Sequence, residues 1–165
     1  MKKRFLKKIL KDILAGKELV PLFAESNRAP SVVYWGLKDF LEHPDDVLIR
    51  KVVAKFKVSP QYLIDRVEQI ISQIDQFRET NPYSILDLTY EADLSEIENQ
   101  WKRIVKKWHP DGKKERGWHD SLVMTQKVNE AYEILKSPHS RLAYNQTYIP
   151  LLAIVKDIED HSRDD

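Results

Sequence analysis

His109 and Asp111 flank Pro110, and this tripeptide is where the sequence concentrates polar side chains that could do chemistry. Three chemistries are open to such a pair. It could relay a proton, it could ligate a metal together with His119 and Asp120, or it could dock a partner, since a carboxylate held rigid after proline accepts a charge-assisted, bidentate arginine contact. The first two lack their companions: the sequence offers no paired nucleophile, no glycine-rich phosphate loop and no second clustered ligand set. Cysteine is absent, which removes thiolate zinc sites, cysteine nucleophiles and disulfides and fits a reducing compartment. The reading is therefore a binding protein that is not an enzyme, with no catalytic residue, metal or cofactor.

The elements around the tripeptide support docking. Upstream runs Trp101-Lys102-Arg103-Ile104-Val105-Lys106-Lys107-Trp108, whose helical period puts Leu94, Ile97, Trp101, Ile104, Val105 and Trp108 on one stripe. Lys102, Arg103, Lys106 and Lys107 fall on the other side. Burial of the stripe turns these four cations to water, where they raise the local potential for an acidic partner. Pro110 ends the helix and pushes His109 toward extended geometry, so His109 and Asp111 belong to a loop. Charge along the chain agrees: residues 81–165 carry 12 basic and 15 acidic side chains, and seven of the 12 lie between Lys102 and Arg116.

A second His-Pro-Asp, at 43–45, serves as an internal control. No basic helix precedes it, and Pro44 with two acids after it is what a first helical turn prefers. His43 to Asp46 is read as the start of a helix.

The rest of the chain reads as helices. Residues 1–14 pair Phe5, Leu6, Ile9, Leu10, Ile13 and Leu14 on one face with six cations on the other. That face packs on the following helices; the competing reading is a peripheral membrane contact or an acidic-partner contact. No small-residue cleavage site or sufficient apolar core follows the basic start, against a secretory signal. Residues 15–30 read as a loop with a short turn, punctuated by Gly16, Pro21 and Pro30. Ser31 is taken to cap a helix to about 42 with Val33, Leu37, Phe40 and Leu41 inward. Pro44 is taken to open another to about 57, with Val47, Leu48, Val52 and Phe56 inward. Ser59-Pro60 caps a third to about 78, with Leu63, Val67, Ile70, Ile71 and Ile74 inward. Residues 44–78 also carry an alternative, a helix-turn-helix opened by Ser59 and Gln61, but Arg66 and Arg78 are few cations for tracking phosphates, which argues against nucleic acid. No apolar run is long enough to cross a bilayer.

Four blocks in order lend the C-terminal half a likeness. Asn81-Pro82-Tyr83-Ser84-Ile85-Leu86-Asp87-Leu88 is similar to the opening turn of the J domain's first helix. The basic helix with its His-Pro-Asp is similar to helix II and the loop after it. Lys127-Val128-Asn129-Glu130-Ala131-Tyr132-Glu133-Ile134-Leu135 resembles helix III, and Ser137 to Asn145 resembles helix IV. The chain thus resembles the J-domain, DnaJ-like co-chaperones of the short specialised class, without their glycine/phenylalanine-rich or zinc regions. The resemblance implies an all-α fold: a helical domain over 1–79, a J domain over 80–148 with an antiparallel helix II/III hairpin, and a C-terminal helix and acidic tail over 149–165. It implies a cytoplasmic co-chaperone that stimulates ATP hydrolysis by a DnaK-type chaperone of the heat-shock-70 class, which His109, Pro110, Asp111, Lys102, Arg103, Lys106 and Lys107 would contact. Residues 1–79 would then give specificity for a client or adaptor. Three positions depart from the family pattern: Gly112 where a cation is common, Thr125 where a phenylalanine is usually buried, and Asn145 for the aspartate after Tyr144.

Overall fold

The structure, a computed structural model, describes residues 2–108 and 118–162, without the side chains of 118 and 119. The described residues hold helices and no strand: α1 (Lys3–Leu14), α2 (Leu19–Ala24), α3 (Pro30–Glu42), α4 (Asp46–Phe56), α5 (Pro60–Thr80), α6 (Pro82–Ile85), α7 (Leu94–Trp108), α8 (Trp118–Lys136) and α9 (Pro138–Asp160). The all-α expectation is met. No helix among the described residues is long and apolar enough to cross a membrane.

Two compact units divide the chain. One is Met1–Gln76 with Pro150–Asp165, the other Phe77–Ile149. The segment Ser137 to Asn145, expected as helix IV, and the C-terminal helix expected from 149 are one helix, α9, with Pro150 inside it. Pro150 lacks the N–H that would bond one turn back, a loss that costs about 3 kcal/mol or more inside an isolated helix.

In the first unit, α1 buries Ile9, Leu10 and Ile13 to 1% exposure or less, so its apolar face lies in the core. Its neighbours are α2 and α4. The α5 stripe of Leu63, Val67, Ile70, Ile71 and Ile74 is buried as its period required. Leu152, Ile154, Val155 and Ile158 from the last stretch of α9 join this core. There the Ser31 N–H donates to Asp157 Oδ2 at 2.7 Å, and the Trp35 indole N–H donates to the His161 carbonyl at 3.1 Å. Inside, the Tyr34 hydroxyl donates to Asp75 Oδ1 at 2.5 Å and Lys38 pairs with Asp75 at 3.2 Å. Burial, and then the Asp75 carboxylate, hold the Tyr34 phenol above its ordinary pKa.

Several local expectations are corrected here. Residues 15–30 contain a helix, α2, because Pro21 sits in its first turn, where no N–H bond is lost. Ser31 does not cap α3: Pro30 is already in the first turn, and Ser31 is buried with its N–H on Asp157. Pro44 does not open α4. Asp45 is the cap, its carboxylate accepting from the Leu48 N–H at 3.0 Å and pairing with Lys3 at 2.8 Å. The Lys3 hydrogen bond, then the Leu48 N–H, hold the Asp45 carboxyl below its ordinary value. Val47 points outward at 60% exposure because, at about 100° per residue, it lies well round the helix from Val52, and the buried side falls on Leu48, Ile49, Val52 and Val53. The reading of residues 43–45 as a structural helix junction stands. Of the helix-turn-helix candidates, Ser59 Oγ accepts from the Tyr62 N–H at 3.1 Å and the Gln61 amide donates to Asp65 at 2.7 Å. Both base-reading candidates have local partners.

Candidate functional site

The candidate site belongs to the second unit, and α7 carries it. Its start is a reciprocal capping box: the Glu96 N–H donates to Asp93 Oδ1 at 2.8 Å, and the Asp93 N–H donates to Glu96 Oε2 at 2.8 Å. The spacing of Asp93 and Glu96 is a sequence signal for this start that the amphipathic stripe alone overlooks. Ile97 is fully buried and Ile104 nearly so. Leu94, expected in the stripe, is 39% exposed because it sits in the first helical turn, beyond the reach of α8 packing at Trp101 and Trp108.

α8 holds α7 antiparallel. The Trp101 ring stacks on Tyr132 at 4.4 Å and 12°, and its indole N–H donates to Asn129 Oδ1 at 2.9 Å. Seven residues further along α7, the Trp108 carbonyl oxygen lies 3.5 Å from Thr125 Oγ1, so advance along one helix is retreat along the other. Ser121, Val128 and Leu135 are buried, with Met124, Thr125 and Tyr132 half-buried. Thr125, where the family buries a phenylalanine, turns its hydroxyl to the Ser121 carbonyl at 2.7 Å. Nearby, Ile85, Ile104, Trp108 and Met124 line an open cleft that Arg103 and Lys107 also line.

The frame under α7 is set by short polar locks. Asn81 is 2% exposed and fully used: its carbonyl oxygen accepts from the Ser84 N–H at 3.0 Å, and its amide donates to the Phe77 carbonyl at 2.9 Å and to Ser84 Oγ at 2.7 Å. α6 then closes in a Schellman turn, with Leu88 N–H on the Tyr83 carbonyl at 2.9 Å and Asp87 N–H on the Ser84 carbonyl at 3.0 Å. Asp87 takes the left-handed position at φ 56, which glycine fills without steric penalty and aspartate tolerates. The buried Tyr83 hydroxyl donates to Asn145 Oδ1 at 2.8 Å, so Asn145, the departure in helix IV, supplies the acceptor. Arg141 donates to the Ala92 carbonyl at 3.2 Å. Tyr144, between Tyr83 and Tyr148, has its phenol pKa pushed up by burial and then by the two neighbouring phenols.

Lys102, Arg103, Lys106 and Lys107 are all exposed along α7. Lys102 lies 3.7 Å from Glu98 and Arg103 lies 3.6 Å from Asp87. Exposed pairs of this kind contribute about 0–1 kcal/mol and reopen readily. Lys106 and Lys107 make no ion pair among the described residues. Asp87 and Glu98 are site residues that the sequence reading missed. Glu98 was findable four residues before Lys102, whereas Asp87 meets Arg103 only through the fold. His109, Pro110 and Asp111 lie outside the described residues.

The family model of the DnaJ domain matches residues 81–145. "DnaJ homolog subfamily C member 16" of Pongo abelii is 33% identical over 94 residues, covering 57% of this chain and 11% of that protein, and the Homo sapiens protein of the same name matches to the same extent. A Synechococcus "Chaperone protein DnaJ" is 38% identical over 64 residues, 39% of this chain and 16% of that protein. The chain therefore spans between about a tenth and a sixth of the length of these relatives. No solved structure matches the chain. The likeness carried by the four blocks holds, and it lies in the C-terminal half.

Proposed function

We propose, from the premise that residues 81–145 form a DnaJ domain, that this protein is a co-chaperone that binds a DnaK-type chaperone of the heat-shock-70 class and stimulates its ATP hydrolysis. The observation that carries the reading is the coincidence of that match with an α7 whose four cations face water. Lys102, Arg103, Lys106 and Lys107 steer and hold an acidic surface of the ATPase. His109, Pro110 and Asp111 engage the same partner, with Asp111 offering a carboxylate to an arginine. No bond is made or broken on this chain. The J domain binds one state of the ATPase more tightly than the other and so shifts its population toward hydrolysis. Residues 1–79 direct the pair to a client or adaptor, and the protein works with its chaperone in the cytoplasm.

The test is single-turnover ATP hydrolysis by a DnaK-type ATPase with the full chain added. Acceleration is expected, with loss of at least about tenfold of it in His109→Gln. His43→Gln, in the structural tripeptide, leaves the acceleration unchanged. No acceleration, or acceleration that survives His109→Gln, overturns the proposal.

A further inference from the structure

The first unit carries a second basic surface, which the chaperone reading does not use. On α1, Lys3, Lys7 and Lys11 follow one another at intervals of four residues, with Arg4 and Lys8 beside them. The opposite side of α1 is Ile9, Leu10 and Ile13, sealed in the core. Phe5, Leu6 and Leu14 are half-buried, with Arg28 lying over the Phe5 ring, so what folded α1 offers outward is mostly charge.

α4 extends that charge. The two helices pack together, and Lys3 reaches Asp45 at 2.8 Å, so the lysine row borders α4. α4 buries Leu48, Ile49, Val52 and Val53 and exposes Val47, Arg50, Lys51, Ala54 and Lys55, with Lys57 following. Within residues 2–14 and 46–57 stand ten cations, eight lysines and two arginines, against two acids, Asp12 and Asp46. None of the ten is buried, and Asp12 is already paired with Lys17 at 3.6 Å. Among the described residues Arg4, Lys7, Lys11, Arg50 and Lys51 make no ion pair.

The chemistry of the surface selects its partner. The aromatic rings of the two helices, Phe5 and Phe56, are half-buried, and each lies beneath a cation, Arg28 at 5.6 Å and Lys55 at 5.8 Å. Neither ring stands free to stack a nucleobase. Lysine predominates, a compact charge suited to a diffuse anionic plane more than to the bidentate contacts by which arginine reads bases. Between the cations Val47 is 60% exposed with Ala54 beside Lys55, apolar groups that a headgroup boundary accommodates and a sugar-phosphate backbone does not reward. We propose that the lysine-rich side of α1 and α4 docks the protein on an anionic lipid bilayer by electrostatic attraction, without insertion of α1. Lysine and arginine clusters of this size are drawn to anionic headgroups, and salt screens them. The proposal stands independently of the chaperone reading.

Co-sedimentation of the full chain with large vesicles tests it. Binding is expected to phosphatidylcholine containing about 30% phosphatidylserine and not to phosphatidylcholine alone. It falls at least about tenfold between roughly 0.1 and 0.5 M salt, as the screening length shortens. Lys7→Glu/Lys11→Glu and Arg50→Glu/Lys51→Glu each weaken it by at least about tenfold, and the matching glutamine pairs by less. Lys106→Glu/Lys107→Glu, on α7, changes it by less than about twofold. Unchanged circular dichroism shows that each variant is folded. Equal binding to neutral vesicles, indifference to charge reversal in α1 and α4, or retention of duplex DNA at lower protein concentration than vesicles overturns the proposal.

Discussion

α1 and α7 are both lysine-rich amphipathic helices, yet they spend their two faces differently. α1 sinks Ile9, Leu10 and Ile13 into a core, with Ile9 and Leu10 at 0% exposure, and half-buries Phe5, Leu6 and Leu14, with Arg28 over the Phe5 ring, so its outer surface is mostly charge. α7 buries Ile97 and Ile104 but leaves Trp101, Val105 and Trp108 half-covered beside its cations, next to a cleft. A surface that is mostly charge attracts an anionic plane and yields to salt. Charge bordered by half-buried aromatic and aliphatic groups can hold a shaped partner after salt has weakened the steering, because apolar burial is not screened. The same sequence pattern thus supports two kinds of contact, and the packing of the apolar side distinguishes them.

The largest expected effect breaks each helix at its core. Ile9→Ala and Ile97→Ala each remove a fully buried side chain and cost about 2–5 kcal/mol, read by urea unfolding with circular dichroism. Ile97→Ala is expected to depress ATPase stimulation and Ile9→Ala vesicle binding.

Next comes the frame under α7. Asn145→Leu strips the acceptor from the buried Tyr83 hydroxyl and costs about 1–3 kcal/mol, while Tyr83→Phe, which leaves no donor stranded, costs about 0.5–1.5. Adding Tyr83→Phe to Asn145→Leu recovers part of the loss; strict additivity of the two would show that the hydroxyl and the amide are not partners.

Lys106→Glu/Lys107→Glu sharpens the comparison itself. Stability moves within about 0.5 kcal/mol, since both groups are exposed and make no ion pair among the described residues, while ATPase stimulation falls by about tenfold or more. Asp87→Gly releases Arg103 from its exposed partner and relieves a left-handed aspartate, so stimulation is expected to rise modestly with no loss of melting temperature.

The smallest effect is a pH dependence at the foot of α1. Asp45 has a folded-state pKa below its unfolded one, so its contribution is fully present above the unfolded value near about 3.9 and is lost as pH falls through the folded value. The stability difference between the parent and Asp45→Asn should therefore stay constant at neutral pH and shrink only in acid. A difference that shrank near neutrality would mean that another group holds this junction.

Much of this was legible from residue order. The period of α5 named five residues that are all buried, and that of α7 named Ile97 and Ile104, which are buried, with Trp101, Val105 and Trp108 half-buried and Leu94 exposed, because helical spacing sets which side chains share a face and packing sets how fully that face is covered. The four blocks of the DnaJ likeness were legible because they are strings with fixed spacing. Harder to read were the helix starts. Pro44, Asp45 and Asp46 all favour a first turn, and the choice of Asp45 as cap followed from its contacts with Leu48 and Lys3. Ser31 looked like a cap but was claimed by Asp157, 126 residues away.

By itself the sequence determined that the chain is helical, where its apolar stripes run, and that cations cluster before 109 and at the start of the chain. Those are consequences of local period and composition, which no distant contact can alter. Only the tertiary structure decided that Asp87 meets Arg103, that Asn145 answers Tyr83 and that the core seals Ile9, Leu10 and Ile13 of α1 while leaving Phe5, Leu6 and Leu14 half-buried. Each of these depends on groups brought together by packing, and the burial that fixes them is a property of the folded surface and not of residue order.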